Sequence, residues 1–157
     1  MIWKLNNMAQ LNIITSRGRG GIIMYGDQMS YTQLLEEFEA CTSEVAFGLK
    51  TPSNVSPRPG VTYLAELHII CSVGLTDITV DGTELMFSGA HGNLQRLARD
   101  FRSFIEDTYP NPPSSIYHSH IEYYPEHPFL AESAVPLILC PEEYFGRLRG
   151  SIPPTSP

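Results

Sequence analysis

The stretch from residue 117 to 129 has the highest density of side chains that could do chemistry. It reads Tyr-His-Ser-His-Ile-Glu-Tyr-Tyr-Pro-Glu-His-Pro-Phe. Because alternate residues of a β-strand share a face, His118, His120 and Glu122 are predicted to project together, with same-face neighbours about 6.5–7 Å apart. Two imidazoles and a carboxylate on one face could bind a metal ion, transfer protons or contact a partner.

Metal binding is one interpretation of this strand. Two imidazoles and a carboxylate can ligate zinc or ferrous iron, and Glu66, His68 or His127 could supply a fourth ligand. Zinc–nitrogen bonds are only about 2.0–2.1 Å long, however, so three successive same-face side chains would have to lean strongly toward one point. A small metal-dependent enzyme or metal-binding domain is therefore the alternative function, and no cofactor is expected.

Acid–base catalysis by the same side chains would need a nucleophile or a bound substrate. The sequence contains no Gly-x-Ser-x-Gly, no P-loop and no Gly-x-Gly-x-x-Gly motif, so no enzyme is expected. The favoured interpretation is a sheet face that meets water or a partner, and the neighbouring tyrosines favour a partner because Tyr is enriched in interfaces. The candidate contact residues are Glu66, His68, His118, His120, Glu122 and Tyr124.

Charge and hydropathy exclude several classes of partner. The 157 residues carry a formal charge of −7, which disfavours nucleic acid because phosphates are bound by Lys and Arg. An acidic surface suits a basic protein. No run approaches the roughly 18 apolar residues of a membrane-spanning helix, so no membrane partner is expected.

The three cysteines bear on the cellular compartment. Their number is odd and they form no Cys-x-x-Cys pair, so neither a disulfide framework nor a thiolate zinc site is indicated. A reducing cytoplasm is the expected location.

The periodicity of apolar residues predicts an α+β fold. Residues 30–42 have helical spacing, with Ser30 as the expected N-cap. A hairpin is predicted over 77–88 and a second helix over about 89–107, whose wide apolar stripe is expected to cover one face of a sheet. We therefore expect a mostly antiparallel sheet of four to six strands with two helices, the second packed on one face.

The ends of the chain are expected to differ from its centre. Residues 1–23 include the basic, glycine-rich segment 16–21 and are predicted to be a flexible N-terminal extension. Residues 24–148 are predicted to form a single α+β domain, and residues 149–157 a disordered tail.

Several of these features together resemble a known family. They are Phe87-Ser88-Gly89, the helix with Leu94 and Leu97-Ala98, the block His118-x-His120-x-Glu122-Tyr123-Tyr124-Pro125-x-His127-Pro128-Phe129-Leu130, and Ser133 with Pro136-Leu137-Ile138. Over residues 64–140, about half of the chain, the pattern resembles small immunity proteins of bacterial polymorphic toxin systems, and the family called immunity protein thirty-two in particular.

The resemblance implies a non-catalytic protein that binds a cognate protein toxin in the cytoplasm of the producing cell and blocks it. It supplies no catalytic or metal-binding residues, and the contact residues named above come from face periodicity. A homodimer that pairs exposed strand edges is a further alternative.

Overall fold

The computed structural model describes residues 11–16, 20–49, 60–110 and 118–143. Within these residues the chain forms two helices, α1 (Gln28–Ala40) and α2 (His91–Thr108). It also forms nine strands: β1 (Leu11–Ser16), β2 (Ile22–Gly26), β3 (Glu44–Gly48), β4 (Val61–Tyr63), β5 (Glu66–Cys71), β6 (Asp77–Asp81), β7 (Glu84–Gly89), β8 (Ser119–Ile121) and β9 (Leu137–Pro141).

The strands form two sheets. One has five strands in the order β4-β1-β2-β9-β8, and the other has four in the order β3-β5-β7-β6. Only the β2–β9 and β5–β7 pairs are parallel within the described residues. The α+β class, the mostly antiparallel pairing and the two helices are confirmed. One sheet was predicted, and the division into two sheets was missed. Local sequence patterns do not show which strands pair across long distances.

The inner faces of both sheets and the apolar stripes of both helices share one hydrophobic core. The second helix lies within two residues of its predicted bounds and contacts β7. Its buried stripe contains Leu94, Leu97, Ala98, Phe101 and Phe104. The ring of Phe38 on α1 packs edge-on against Phe87 of β7 and also contacts Phe101. Burial of such side chains, at about 1.5–3 kcal/mol each, fixes the helices on the sheets.

The hairpin that joins β6 to β7 has the predicted faces. Ile78 pairs with Phe87 and Val80 with Leu85 on the inner face. Gly82 follows the last residue of β6 and has a φ of 60°, which is the left-handed conformation that favours glycine in tight hairpin loops. The residues of the hairpin that alternate with these inner-face residues therefore lie on the outer face of the sheet.

Two predictions about the N-terminal region are wrong. The first helix begins at Gln28, and its N-cap is Asp27, whose side chain accepts a hydrogen bond of 2.8 Å from the Ser30 amide. Ser30 therefore supplies a backbone donor instead of the cap. Part of the expected flexible extension is ordered: β1 pairs with both β2 and β4, and its residues Leu11 and Ile13 are buried in the core.

Residues 1–10, 17–19 and 144–157 lie outside the described residues, so the remainder of the predicted extension and the predicted tail stay predictions. Neither helix in the described part of the chain is long and apolar enough to cross a bilayer.

Candidate functional site

The strand that carries His120 lies at an edge, and His118 immediately precedes it. Among the described residues β8 pairs only with β9 of the five-stranded sheet, with His120 opposite Ile138 and Ile121 opposite Leu137. Ile121 points into the core and is 4% exposed, whereas His120 is exposed. The predicted alternation is found within β8, but the strand is shorter than predicted, and His118 and Glu122 lie just outside it.

The loop that follows β8 is organised by His127. Its Nδ1 accepts hydrogen bonds from the amides of Phe129, at 3.2 Å, and Leu130, at 3.0 Å. The imidazole ring lies between Tyr124 and Phe129, with ring centroids 4.5 Å and 4.6 Å away. Burial lowers the pKa of His127, and the two bonds to Nδ1 place the proton of the neutral ring on Nε2. The loop thus presents an imidazole whose Nδ1 is an acceptor, next to the exposed ring of Tyr124.

The other side of the loop is fixed to α2. The Arg96 guanidinium donates a hydrogen bond of 3.0 Å to the carbonyl oxygen of Pro128. Farther along, the loop joins the four-stranded sheet, because the Thr76 amide donates to the Phe129 carbonyl and the Ala131 amide donates to the Thr76 carbonyl. A short segment of chain is therefore held to β8, to α2 and to the second sheet at once.

These elements enclose an open cleft of about 380 Å³. Its described lining comes from α2, from β8 and from the loop: Asp100, Ser103, Ser119, His120, Ile121, Glu122, Tyr124, His127, Pro128 and Phe129. Burial raises the pKa of Asp100. The cleft therefore combines two carboxyl groups with the exposed ring of Tyr124, which is a suitable environment for a cationic group.

The structure separates the six predicted contact residues into two groups. His120, Glu122 and Tyr124 line the cleft, and His118 lies beside it with its ring centroid 4.9 Å from that of His120. Glu66 and His68 lie on β5 of the other sheet. The expectation that all six share one face is wrong, because the two strands that carry them belong to different sheets.

The residues on β5 form a cluster of their own. His68 is buried, with Nε2 3.0 Å from a carboxylate oxygen of Glu66 and 4.0 Å from one of Glu84, and with Nδ1 3.4 Å from Glu44. In the described part of the chain, Glu66, His68 and Glu84 are the one group of three potential ligands close enough to share a metal ion. The set predicted from strand periodicity, His118, His120 and Glu122, is not brought together in this way.

Sequence reasoning missed the contribution of α2 to the cleft. Helical periodicity places Asp100 at the edge of the apolar stripe and Ser103 opposite it, but that pattern does not show which part of the protein lies beside them. His127 was noted only as a potential metal ligand, and its role in the loop follows from backbone contacts that the sequence does not reveal. The parallel pairing of β5 and β7, which brings Glu84 next to Glu66, could not be predicted either.

No protein-family model matches the sequence, and a comparison with curated proteins gives no significant match.

Proposed function

We propose that this protein is a non-catalytic inhibitor that binds a cognate protein toxin in the cytoplasm of the producing cell and occludes its active site. The observation that carries this proposal is the cleft at β8, which gathers His120, Glu122 and Tyr124. All three side chains are exposed, so a partner can reach them.

The chemistry of the cleft suits a basic segment of the partner. Asp100 and Glu122 lie in its lining, and either carboxylate could accept charge-assisted hydrogen bonds from Arg or Lys. The Tyr124 side chain is 54% exposed and offers a ring face for a cation–π contact. The formal charge of −7 favours the approach of a positively charged protein.

The edge of β8 adds a second mode of recognition. The strand is three residues long, and within the described residues it pairs on one side only. An extended segment of the toxin can add to such an edge through backbone hydrogen bonds while its side chains enter the cleft. The same edge could pair with a second copy of the chain, and light scattering of the purified protein distinguishes a dimer from a monomer.

Co-expression with the product of the adjacent toxin gene tests the proposal. We expect the two proteins to purify as a stoichiometric complex and the protein to restore growth of cells that express the toxin. Absence of both a complex and rescue would reject the inhibitor function.

Variants then test whether the cleft is the contact surface. Tyr124→Ala and Glu122→Lys are expected to weaken binding, and a central anchor residue costs about 2 kcal/mol or more when truncated, or about 30-fold in Kd. Glu36→Lys makes the same charge change at an exposed site on α1, and this control is expected to bind as wild type does.

A further inference from the structure

The outer face of the four-stranded sheet carries an acidic row. Glu66 on β5 lies opposite Glu84 on β7, and Glu84 lies opposite Asp81 on β6. Like charges directly across a sheet are destabilising, and the sequences of β3, β5, β6 and β7 contain neither Lys nor Arg. The fold therefore maintains a local charge repulsion that a bound cation would relieve.

His68 lies among these carboxylates and is not solvated. It is two residues along β5 from Glu66 and shares its face of the sheet, yet the residue is only 8% exposed. A buried imidazole next to carboxylates is a ligand type that transition metals prefer. The acidic row thus differs from an ordinary solvated surface, because it contains a buried nitrogen donor.

A neutral His68 ring cannot donate a hydrogen bond from each of its two nitrogens to the carboxylates beside them. Both ring nitrogens of His68 face carboxylate oxygens, Nδ1 toward Glu44 and Nε2 toward Glu66. A neutral imidazole has one N–H, and an ionised carboxylate can only accept. If Nδ1–H is donated to Glu44, the Nε2 lone pair points at an oxygen of Glu66 with nothing between them, and either a second proton or a metal cation at Nε2 would remove this conflict.

The distances fit a small four-coordinate ion. Bonds of about 2.0–2.1 Å in tetrahedral geometry place neighbouring ligand atoms roughly 3.4 Å apart. The Nε2 atom lies 3.0 Å from an oxygen of Glu66 and 4.0 Å from one of Glu84, values that lie on either side of this separation. One potential ligand atom from each of the three residues falls within 4.8 Å of the others.

We propose that His68 Nε2, Glu66 and Glu84 bind one divalent transition-metal ion, with Zn²⁺ as the preferred ion. Glu44 would accept the Nδ1–H and orient the ring, as carboxylates do for many metal-bound histidines. One imidazole and two carboxylates favour Zn²⁺ over Mg²⁺ or Ca²⁺, which take mainly oxygen ligands. The ion would join β5 to β7, and this site does not depend on the proposed inhibitor function.

Calorimetric titration of the tag-free, metal-stripped full chain with Zn²⁺ tests the site. We expect one ion per chain, a higher Tm in the presence of Zn²⁺ and visible absorption when Co²⁺ replaces Zn²⁺. His68→Gln and Glu84→Gln are expected to weaken Zn²⁺ binding at least tenfold, and Glu44→Ala by about 10- to 100-fold. Circular dichroism of each variant verifies that it is folded.

The paired imidazoles on the other sheet provide the matched control. The double variant His118→Gln/His120→Gln removes two exposed histidines whose rings are 4.9 Å apart, and it is expected to bind Zn²⁺ as wild type does. The inference is overturned if the wild-type chain binds no Zn²⁺, if the double variant loses binding, or if a folded Glu84→Gln variant binds with unchanged affinity.

Discussion

The phenolic oxygen of Tyr31 donates a hydrogen bond of 2.6 Å to the carbonyl oxygen of Cys140, 109 positions away in the sequence. The same oxygen lies 2.9 Å from the carbonyl oxygen of Met24. Tyr31 is fully buried, and burial raises the pKa of its hydroxyl well above the ordinary value. One helical side chain thus links α1 to the parallel β2–β9 pair, the same β9 on which β8 and the cleft depend.

Removal of this hydroxyl is expected to destabilise the fold. Tyr31→Phe keeps the ring and its edge-on packing against Phe104, but it removes the buried donor. We expect the free energy of unfolding in urea to fall by about 1–3 kcal/mol, the cost of leaving a buried acceptor without its partner.

Tyr124→Phe is the control for this prediction, because it removes a hydroxyl from an exposed ring. It is expected to change the free energy of unfolding by less than about 0.5 kcal/mol. Equal effects of the two substitutions would contradict the structural role of the Tyr31 hydroxyl.

Two glycines on either side of the start of α2 are expected to respond oppositely to alanine. A Cβ atom on Gly89 would lie 2.8 Å from the Cα atom of Thr76. Backbone atoms must then move, and Gly89→Ala is expected to destabilise the protein by about 1–3 kcal/mol. A Cβ atom on Gly92 meets nothing within 4 Å, so Gly92→Ala is expected to stabilise it by roughly 0.5–1 kcal/mol. Thermal unfolding of both variants tests these two predictions. A Tm of Gly89→Ala equal to that of wild type would contradict the close approach of Gly89 to Thr76.

The stability of the protein is expected to depend on pH through Asp100. Burial raises its pKa above the ordinary 3.8, so the folded state retains the proton to a higher pH than the unfolded state does. The stability that this retained proton contributes is present below the ordinary pKa and is lost as the pH rises through the folded-state pKa. We expect the free energy of unfolding of Asp100→Asn, measured in urea, to rise relative to that of wild type when the pH is raised from 3.5 to 7. A difference between variant and wild type that is constant with pH would contradict the burial of this carboxyl.

The cysteines are expected to differ in their reaction with iodoacetamide at pH 8. Burial raises the pKa of the Cys140 thiol to about 12, and the thiolate is the reactive form. Cys71 is partly exposed. Mass spectrometry of the native protein should therefore find the label on Cys71 before Cys140, and urea should abolish the difference. Comparable native labelling of the two residues would contradict the burial of Cys140.

Local sequence patterns predicted the parts of the fold whose contacts are local. The apolar stripe of α2 fixed its bounds to within two residues, and the hairpin was predicted together with its inner face. The pairing of β2 with β9 was not, because it joins Ile22 to Leu137 and no periodicity encodes a partner at that distance. β1 was missed because the glycine-rich segment after it obscured a short strand.

The candidate site was predictable to a similar extent. Alternation along the predicted strand identified His120 and Glu122 as exposed neighbours, and both side chains are exposed in the structure. The cleft also requires Asp100 from α2, and the cluster around His68 requires Glu84 from a parallel strand. Both depend on tertiary packing, so residue spacing alone could not reveal either one.

Hydrogen–deuterium exchange of the free protein and of its complex with the toxin tests the central claim most directly. If the cleft is the contact surface, backbone amides in residues 118–130 become more slowly exchanging in the complex, while those of the β6–β7 hairpin change little. Slower exchange confined to the hairpin, with no change in residues 118–130, would contradict the proposed mode of inhibition.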